Sequence, residues 1–326
     1  MKLAHFFSLG IVSLGLVACG QSSGPSVSTS TAPAATATVA PAVKKVGLVM
    51  KTLTNPFFIE MEKGARRAEQ ELGVSLEVKT AAQETSIEQQ IQLVNDLISA
   101  KVDAIVIAPG DSQSLVPILK KAADAGIKIV NIDNRLDPAT VKQAGMADVP
   151  FVSVNNDQGA YKAGKFLAEG VTAPTKAGIL EGIRSADNAR QRMEGAKRAL
   201  LENKQIKVVA SETANWKIDE AYSVTKAMLA KHPDITLIFA ANDMMALGAT
   251  KYLQEVGKNK VKVAGYDALS EAIAEIKAGK LSATVDQQAA EQGYQGVTLA
   301  VRLIKGETVP GETVIDTRLV TAAEAK

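Results

Sequence analysis

Short runs of apolar and β-branched residues alternate with amphipathic segments along the chain from residue 44 onward. The runs are VGLVM, DAIVIA, KIVNID, FVSVN, AGILEG, KVVAS, LIFAA, KVAGY and SATVD. Between them lie segments with apolar residues at helical spacing, among them PFFIEMEKGARRAEQEL, IEQQIQLVNDLISA, AYKAGKFLAE, ARQRMEGAKRALLEN, DEAYSVTKAMLAKH and DMMALGATKYLQEVG. Strands that alternate with helices form parallel sheets with crossover connections, so the pattern predicts an α/β fold.

The number of strand–helix units limits how the chain divides. About nine or ten units are too many for one compact doubly wound sheet. A chain of 326 residues has room for about two domains of roughly 100–200 residues each. We therefore expect two lobes with parallel sheets.

Charge and the scarcity of cysteine and histidine exclude several classes of function. The chain has 37 Lys and Arg against 35 Asp and Glu, so it lacks the basic field of a nucleic-acid-binding protein. It has one cysteine and two histidines, and both Cys19 and His5 fall in the first 20 residues. A disulfide framework, a Cys/His metal site and a Cys–His nucleophilic pair are therefore excluded. We expect no metal and no cofactor.

The amino-terminal segment indicates export. Met1 and Lys2 precede a short apolar run, which is typical of a signal peptide over residues 1–18. The run ends in LVAC, which resembles the lipobox of bacterial lipoproteins and implies a lipidated Cys19. An ordinary secretory signal cut near Ala18 is the alternative. Residues 20–43 contain 18 Ser, Thr, Ala or Pro out of 24 and no charge, so we interpret 19–43 as the lipidated cysteine and a flexible tether.

Polar and aromatic residues follow the apolar runs, where parallel sheets place their ligands. They include Lys51, Asn55, Phe57, Phe58, Asp133, Asn134, Arg190, Trp216, Asn242, Asp267 and Gln287. Carboxylates, amides and guanidinium groups suit hydroxyls that both donate and accept, and aromatic rings suit the C–H faces of a sugar. This set of side chains indicates sugar binding.

At these residues the chain resembles the type I periplasmic sugar-binding proteins of ABC importers, in the group of ribose-binding and D-allose-binding proteins. The most specific segments are KTLTNPFF at 51–58 and ANDMMALGA at 241–249, followed by the ordered series NID, NARQRMEG, ANW, GYD and ATVDQ. The resemblance runs from residue 44 to the end. It implies two Rossmann-like lobes joined by a three-crossing hinge, one formed by 44–154 with 286–316 and the other by 155–285 with 317–326.

The resemblance also assigns ligand-binding roles. It implies that the cleft is lined by Lys51, Asn55, Phe57, Phe58, Asp133 and Asn134 from the first lobe, by Arg190, Trp216, Asn242 and Asp267 from the second, and by Gln287 at a crossing. Lys51 agrees with the D-allose type, whereas Asn134 departs from both types. Each residue also has a structural alternative. Asn242 and Asp267 occupy positions suited to helix capping, one phenylalanine could belong to the core, and Arg192 is interpreted as the solvated neighbour of Arg190.

The function implied is that of an exported, lipid-anchored receptor that binds a monosaccharide and delivers it to an ABC permease. The alternative is a sugar-sensing subunit read by a chemoreceptor or a sensor kinase. We expect a monomer that is not an enzyme, does not bind nucleic acid and contacts the membrane only through its lipid. GAYKAGK at 159–165 has P-loop spacing, but Phe166 replaces the Ser or Thr that binds magnesium, so nucleotide binding is not expected.

Overall fold

The computed structural model describes residues 43–146 and 149–325. The predicted signal peptide, Cys19 and the tether up to residue 42 lie outside the described residues. Twelve strands lie within the described part of the chain. They are β1 (Lys45–Met50), β2 (Ser75–Thr80), β3 (Ala104–Ile107), β4 (Lys128–Ile132), β5 (Phe151–Val154), β6 (Thr175–Glu181), β7 (Ile206–Thr213), β8 (Ile235–Ala240), β9 (Lys262–Ala264), β10 (Ala283–Asp286), β11 (Glu312–Ile315) and β12 (Arg318–Thr321).

Ten helices alternate with these strands in the described ranges. They are α1 (Pro56–Leu72), α2 (Ile87–Ser99), α3 (Val116–Asp124), α4 (Pro138–Gln143), α5 (Asn156–Ala168), α6 (Asp187–Glu202), α7 (Ile218–Lys231), α8 (Asp243–Glu255), α9 (Ser270–Lys277) and α10 (Ala289–Ile304). The predicted segment PFFIEMEKGARRAEQEL coincides with α1, because Asn55 caps the helix, Pro56 starts it and Gly73 ends it with a φ of 64°. The pattern of apolar runs did not predict β2, β11 or β12. SLEVKT and RLVT are largely half-buried strands at sheet edges, where the apolar pattern is weak.

The strands form two six-stranded sheets. The first has the order β11-β5-β4-β3-β1-β2 and the second the order β12-β10-β9-β8-β6-β7. All pairs are parallel except β10 with β12. The α/β fold with two lobes is therefore confirmed. We call the lobe built on the first sheet the first lobe and the other the second lobe.

The chain passes between the sheets three times. It leaves the first sheet after β5, returns after β10 and crosses again between β11 and β12. Helix α10 packs against α1 and the strands of the first sheet, whereas α5 packs against α6 and the strands of the second sheet. Because the strands are parallel, their carboxyl ends gather at one edge of each sheet.

Candidate ligand-binding site

A cavity lies beyond the carboxyl ends of the strands of both sheets. It contains about 230 Å³ of space free of protein atoms. Nine of the eleven predicted binding residues line it: Lys51, Asn55, Phe57, Phe58, Asp133, Trp216, Asn242, Asp267 and Gln287. Glu84, Asn188 and Arg192 complete the lining. The structure thus brings residues of both lobes around one small space.

Lys51 occupies the first-lobe side of the cavity, directly after β1. Its side chain is 2% exposed, and its Nζ atom lies 2.8 Å from an Asp133 carboxylate oxygen and 3.9 Å from one of Glu84. The same ammonium lies 5.6 Å from the centroid of the Phe58 ring. Burial of this cation is offset by the two carboxylates and the ring face.

Glu84 was missed by the sequence analysis. It lies in the loop after β2, a strand that the pattern of apolar runs did not reveal. The Asn55 amide nitrogen donates a hydrogen bond of 2.9 Å to Glu84. Its side-chain oxygen caps α1 by accepting a hydrogen bond from the backbone N–H of Phe57. Desolvation by burial raises the pKa of Glu84, and the positive charge of Lys51 opposes this. Asn55 therefore has the capping role and also a place in the cavity wall.

Arg192 forms the second-lobe side, on α6. Its guanidinium donates to Asn156 at 2.8 Å, to the backbone carbonyl oxygen of Ala241 at 3.0 Å and to Gln287 at 3.0 Å. It also lies 3.5 Å from an Asp267 carboxylate oxygen and stacks 3.9 Å from the centroid of the Tyr266 ring. Contacts to separate elements fix the planar group in one orientation.

Two buried carboxyl groups lie together in the second lobe. Asp267 accepts a hydrogen bond of 2.6 Å from Gln287. Behind it, Asp243 accepts from Thr284 at 2.7 Å and from the backbone N–H of Leu269 at 2.8 Å. Desolvation raises the pKa of Asp267 well above its usual range, against the opposing charge of Arg192, and raises the pKa of Asp243 to about 7.

Trp216 presents its ring to the cavity through close packing behind it. A Cβ atom at Gly182 would lie 2.1 Å from that ring, so only glycine fits beneath it. The backbone carbonyl oxygen of Trp216 accepts a hydrogen bond of 3.3 Å from Asn242, which also caps α8. Cations from both lobes flank the ring, since Lys51 lies 5.9 Å and Arg192 5.6 Å from its centroid.

Backbone conformations that are rare for side-chain-bearing residues cluster around the cavity. Asp133 has a φ of 62°, Trp216 of 68° and Asp267 of 119°. Such conformations cost about 1–3 kcal/mol each and persist where the surroundings impose them. The backbone strain therefore coincides with the cavity wall.

Apart from the Asp133 oxygen that is ion-paired with Lys51, two polar atoms of the wall lack a hydrogen-bond partner among the described residues. They are the side-chain carbonyl oxygen of Asn188, an acceptor, and the indole Nε1–H of Trp216, a donor. Both residues are buried. A ligand that both donates and accepts hydrogen bonds would satisfy them.

The structure does not bring Arg190 to the cavity, and the interpretation of Arg192 as its solvated neighbour is wrong. The Arg190 side chain is 46% exposed and pairs with Asp187 at 3.0 Å. Residues 188 and 192 share one face of a helix, whereas residue 190 is rotated by about 200° from either. The small residues Ala189 and Ala196 place position 192 on the buried stripe of α6, a signal that was available in the sequence.

Asn134 also lies outside the cavity. Its side chain is fully buried. The amide nitrogen donates a hydrogen bond of 3.1 Å to the carbonyl oxygen of Pro109, and the side-chain oxygen accepts one of 3.2 Å from the backbone N–H of Asn188. Its neighbour Asp133, with a positive φ, directs its side chain to the cavity instead. The turn after β4 therefore separates the two adjacent side chains.

Within 43–146 and 149–325, no group of three or more His, Cys, Asp or Glu residues is arranged to hold a metal ion. In the same ranges, no helix combines the length and hydropathy needed to cross a bilayer.

Two lobes that enclose a small polar cavity define the class of periplasmic binding proteins. The model of the periplasmic binding protein domain matches residues 46–308. The D-ribose/D-allose-binding protein of Pseudomonas aeruginosa is 42% identical over 86% of this chain and 90% of its own length. The D-allose-binding periplasmic protein of Escherichia coli is 34% identical over 86% of this chain and 91% of its own length. The chain belongs to the periplasmic binding protein family.

A solved structure agrees with this assignment. The ABC transporter periplasmic solute-binding protein from Actinobacillus succinogenes, with bound D-allose, has a TM-score of 0.82 and 38% identity. The alignment covers 86% of this chain and 99% of that one. The predicted resemblance to sugar-binding proteins of ABC transporters is confirmed.

Proposed function

We propose that this protein is an exported receptor that binds one neutral monosaccharide between its lobes and delivers it to an ABC importer. The observation that carries the proposal is the enclosed cavity, in which buried carboxylates, amides and a guanidinium from both lobes surround a few aromatic rings. The hydroxyls of a sugar can hydrogen-bond to the polar side chains, and its C–H faces can stack on the aromatic rings. The relatives' names support transport of sugars.

The charges in the wall favour a neutral ligand. Lys51 is already paired with Asp133, and Arg192 contacts Asp267 and donates to three hydrogen-bond acceptors. A uronate or a sugar phosphate would bring an anion to a site without a free cation, and burying an unpaired charge is costly. Uncharged pentoses and hexoses are therefore the ligand class.

The aromatic rings fit a pyranose or furanose seen from its faces. Phe57 and Phe58 are edge to face, with ring centroids 5.1 Å apart, on the first lobe, and Trp216 belongs to the second. We propose that the sugar ring lies among these three rings, with its hydroxyls directed toward Asp133, Arg192 and Asn188. D-Allose and D-ribose are the first candidates, because these sugars appear in the names of the similar binding proteins.

We infer that residues 44–154 with 286–316 and 155–285 with 317–326 move as two bodies about the three crossings. Residues from both bodies wall the cavity, so a ligand enters and leaves only when they separate. The released open form and the closed, loaded form present different surfaces to a permease.

The anchor is proposed from the sequence. A diacylated Cys19 with an uncharged tether would hold the receptor near its permease. Cys19→Ser is expected to move the protein from the membrane fraction to the soluble extracytoplasmic fraction. Retention of the variant in the membrane fraction would contradict the anchor and leave the binding proposal untouched.

Calorimetric titration with a panel of sugars tests the binding proposal. D-Allose or D-ribose is expected to bind one per chain, while D-glucuronate and D-ribose 5-phosphate give no heat of binding. Charged ligands that bind while every neutral pentose and hexose fails would overturn the proposal.

A further inference from the structure

The amino terminus of α6 lacks a cap of its own. Ala186 occupies the capping position and has no side-chain acceptor. The first backbone N–H groups of a helix have no partner within the helix, and a cap normally supplies one. Here two of these groups, on Asp187 and Asn188, are satisfied from the other lobe.

Ser112 and Asn134 of the first lobe supply the missing acceptors. The Ser112 hydroxyl oxygen accepts a hydrogen bond of 3.0 Å from the backbone N–H of Asp187. The Asn134 amide oxygen accepts one of 3.2 Å from the backbone N–H of Asn188. In addition, the backbone N–H of Ser112 donates 3.2 Å to the carbonyl oxygen of Ser185. Neither Ser112 nor Asn134 lines the cavity.

Both acceptors are held in place by the first lobe itself. The Asn134 amide nitrogen donates to Pro109 at 3.1 Å and to the Ser112 hydroxyl at 3.4 Å, which orients its oxygen toward α6. The carbonyl oxygen of Ser112 accepts 2.7 Å from the N–H of Asp137. Ser112 is 1% exposed and Asn134 fully buried, so water is excluded from these contacts.

We propose that Ser112 and Asn134 are positioning residues that cap α6 across the cleft and so latch the closed form. Helix α6 also carries the cavity residues Asn188 and Arg192, so the cap fixes the second-lobe wall only when the lobes are together. When the lobes separate, water takes the place of the cap. The latch therefore adds to ligand affinity and slows release without touching the ligand, and it rests on the proposed binding of a monosaccharide.

The test compares Ser112→Ala with Thr225→Val in the full chain. Thr225 is a matched control, because its buried hydroxyl donates to Ala221 within α7 of one lobe. Each variant and the wild type are titrated with D-allose and D-ribose, and ligand release is followed by stopped-flow tryptophan fluorescence. The melting temperature of each unliganded protein is recorded in parallel.

Ser112→Ala is expected to bind about fivefold more weakly, with the loss in a faster release rate and no change in the unliganded melting temperature. Ser112→Thr keeps the hydroxyl and should restore most of the affinity. Thr225→Val should bind as the wild type does. Asn134→Ala should lose more affinity than Ser112→Ala does, and its unliganded melting temperature should also fall, because the bond to the Pro109 carbonyl oxygen within the first lobe is lost with it.

Wild-type affinity and release rate in Ser112→Ala and Asn134→Ala would overturn the latch while leaving sugar binding intact. Equal weakening in Thr225→Val would overturn it too, since the effect would then not be specific to the interface. A wild type that binds neither these two sugars nor any other neutral pentose or hexose would instead overturn the proposed function.

Discussion

The two halves of the cavity are stabilised in different ways. On the first lobe, Lys51 is held by two carboxylates that themselves face the cavity, one at 2.8 Å and one at 3.9 Å. On the second lobe, Arg192 is held by Asn156, Ala241, Gln287 and Asp267, which come from several elements. The cation of the second half is therefore fixed by several elements of the fold, whereas the cation of the first half depends on two ion pairs in the cavity wall. Substitutions in the two halves should accordingly divide between stability and affinity in different ways.

Arg192→Met should give the largest effect and lower both the stability of the protein and its affinity for the sugar. Removing the guanidinium leaves Asp267 and Gln287 buried without their partner, which costs about 3–5 kcal/mol of stability. Affinity for D-allose should fall by about 100-fold or more, because a charged donor to the sugar is also lost. Urea unfolding and calorimetry measure the two losses. Arg190→Met, which changes an exposed residue two positions away, should leave both at the wild-type value.

Asp133→Asn should lower affinity and cost less stability than Arg192→Met, because the asparagine carbonyl oxygen still accepts a hydrogen bond from Lys51. Asparagine tolerates the positive φ of this position, and Lys51 keeps Glu84 at 3.9 Å. A neutral acceptor in place of the carboxylate should weaken D-allose binding by about 10- to 100-fold. A loss of stability comparable with that of Arg192→Met would show that the two halves do not differ as described.

Trp216→Phe should have a smaller effect on binding. Phenylalanine keeps a ring for the sugar face but loses the indole N–H and part of the contact area. We expect affinity about tenfold lower by calorimetry, with the unliganded fold retained. Unchanged affinity would exclude the indole from the ligand contact.

Part of the pH dependence of stability should come from Asp243 in the second half. The pKa of Asp243 is raised to about 7 in the folded protein, so the folded state holds a proton that the unfolded chain releases near pH 4. The stabilisation of the folded state by this proton is fully present below about pH 4 and is lost as the pH rises through about 7. The melting temperature of the unliganded protein should therefore fall over that window. In Asp243→Asn the fall should be smaller, and an identical pH profile in variant and wild type would contradict the assignment.

The sequence predicted the fold and most of the cavity for a physical reason. In a parallel sheet the residue after each strand is placed at the ligand edge, so Lys51, Asp133, Asn242 and Asp267 could be found by locating strand ends. Glu84 could not be found in this way, because β2 lies at a sheet edge with a weak apolar pattern. Arg190 and Arg192 were exchanged because segment resemblance locates a helix start but the helical phase decides which side chain faces inward. Asn134 was misplaced because the turn conformation after β4 depends on tertiary contacts with Pro109 and Ser112.

A neutral monosaccharide is expected to bind between the two halves of the cavity, against the only tryptophan of the sequence. A fluorescence titration of the full chain with D-allose and D-ribose tests it most directly, since Trp216 lies in the cavity wall and no other tryptophan contributes. At least one of the two sugars should shift or change the emission in a saturable way, and the change should be lost in Arg192→Met at concentrations that saturate the wild type. Calorimetrically confirmed binding of a sugar that leaves the Trp216 emission unchanged would place the ligand elsewhere and contradict the account.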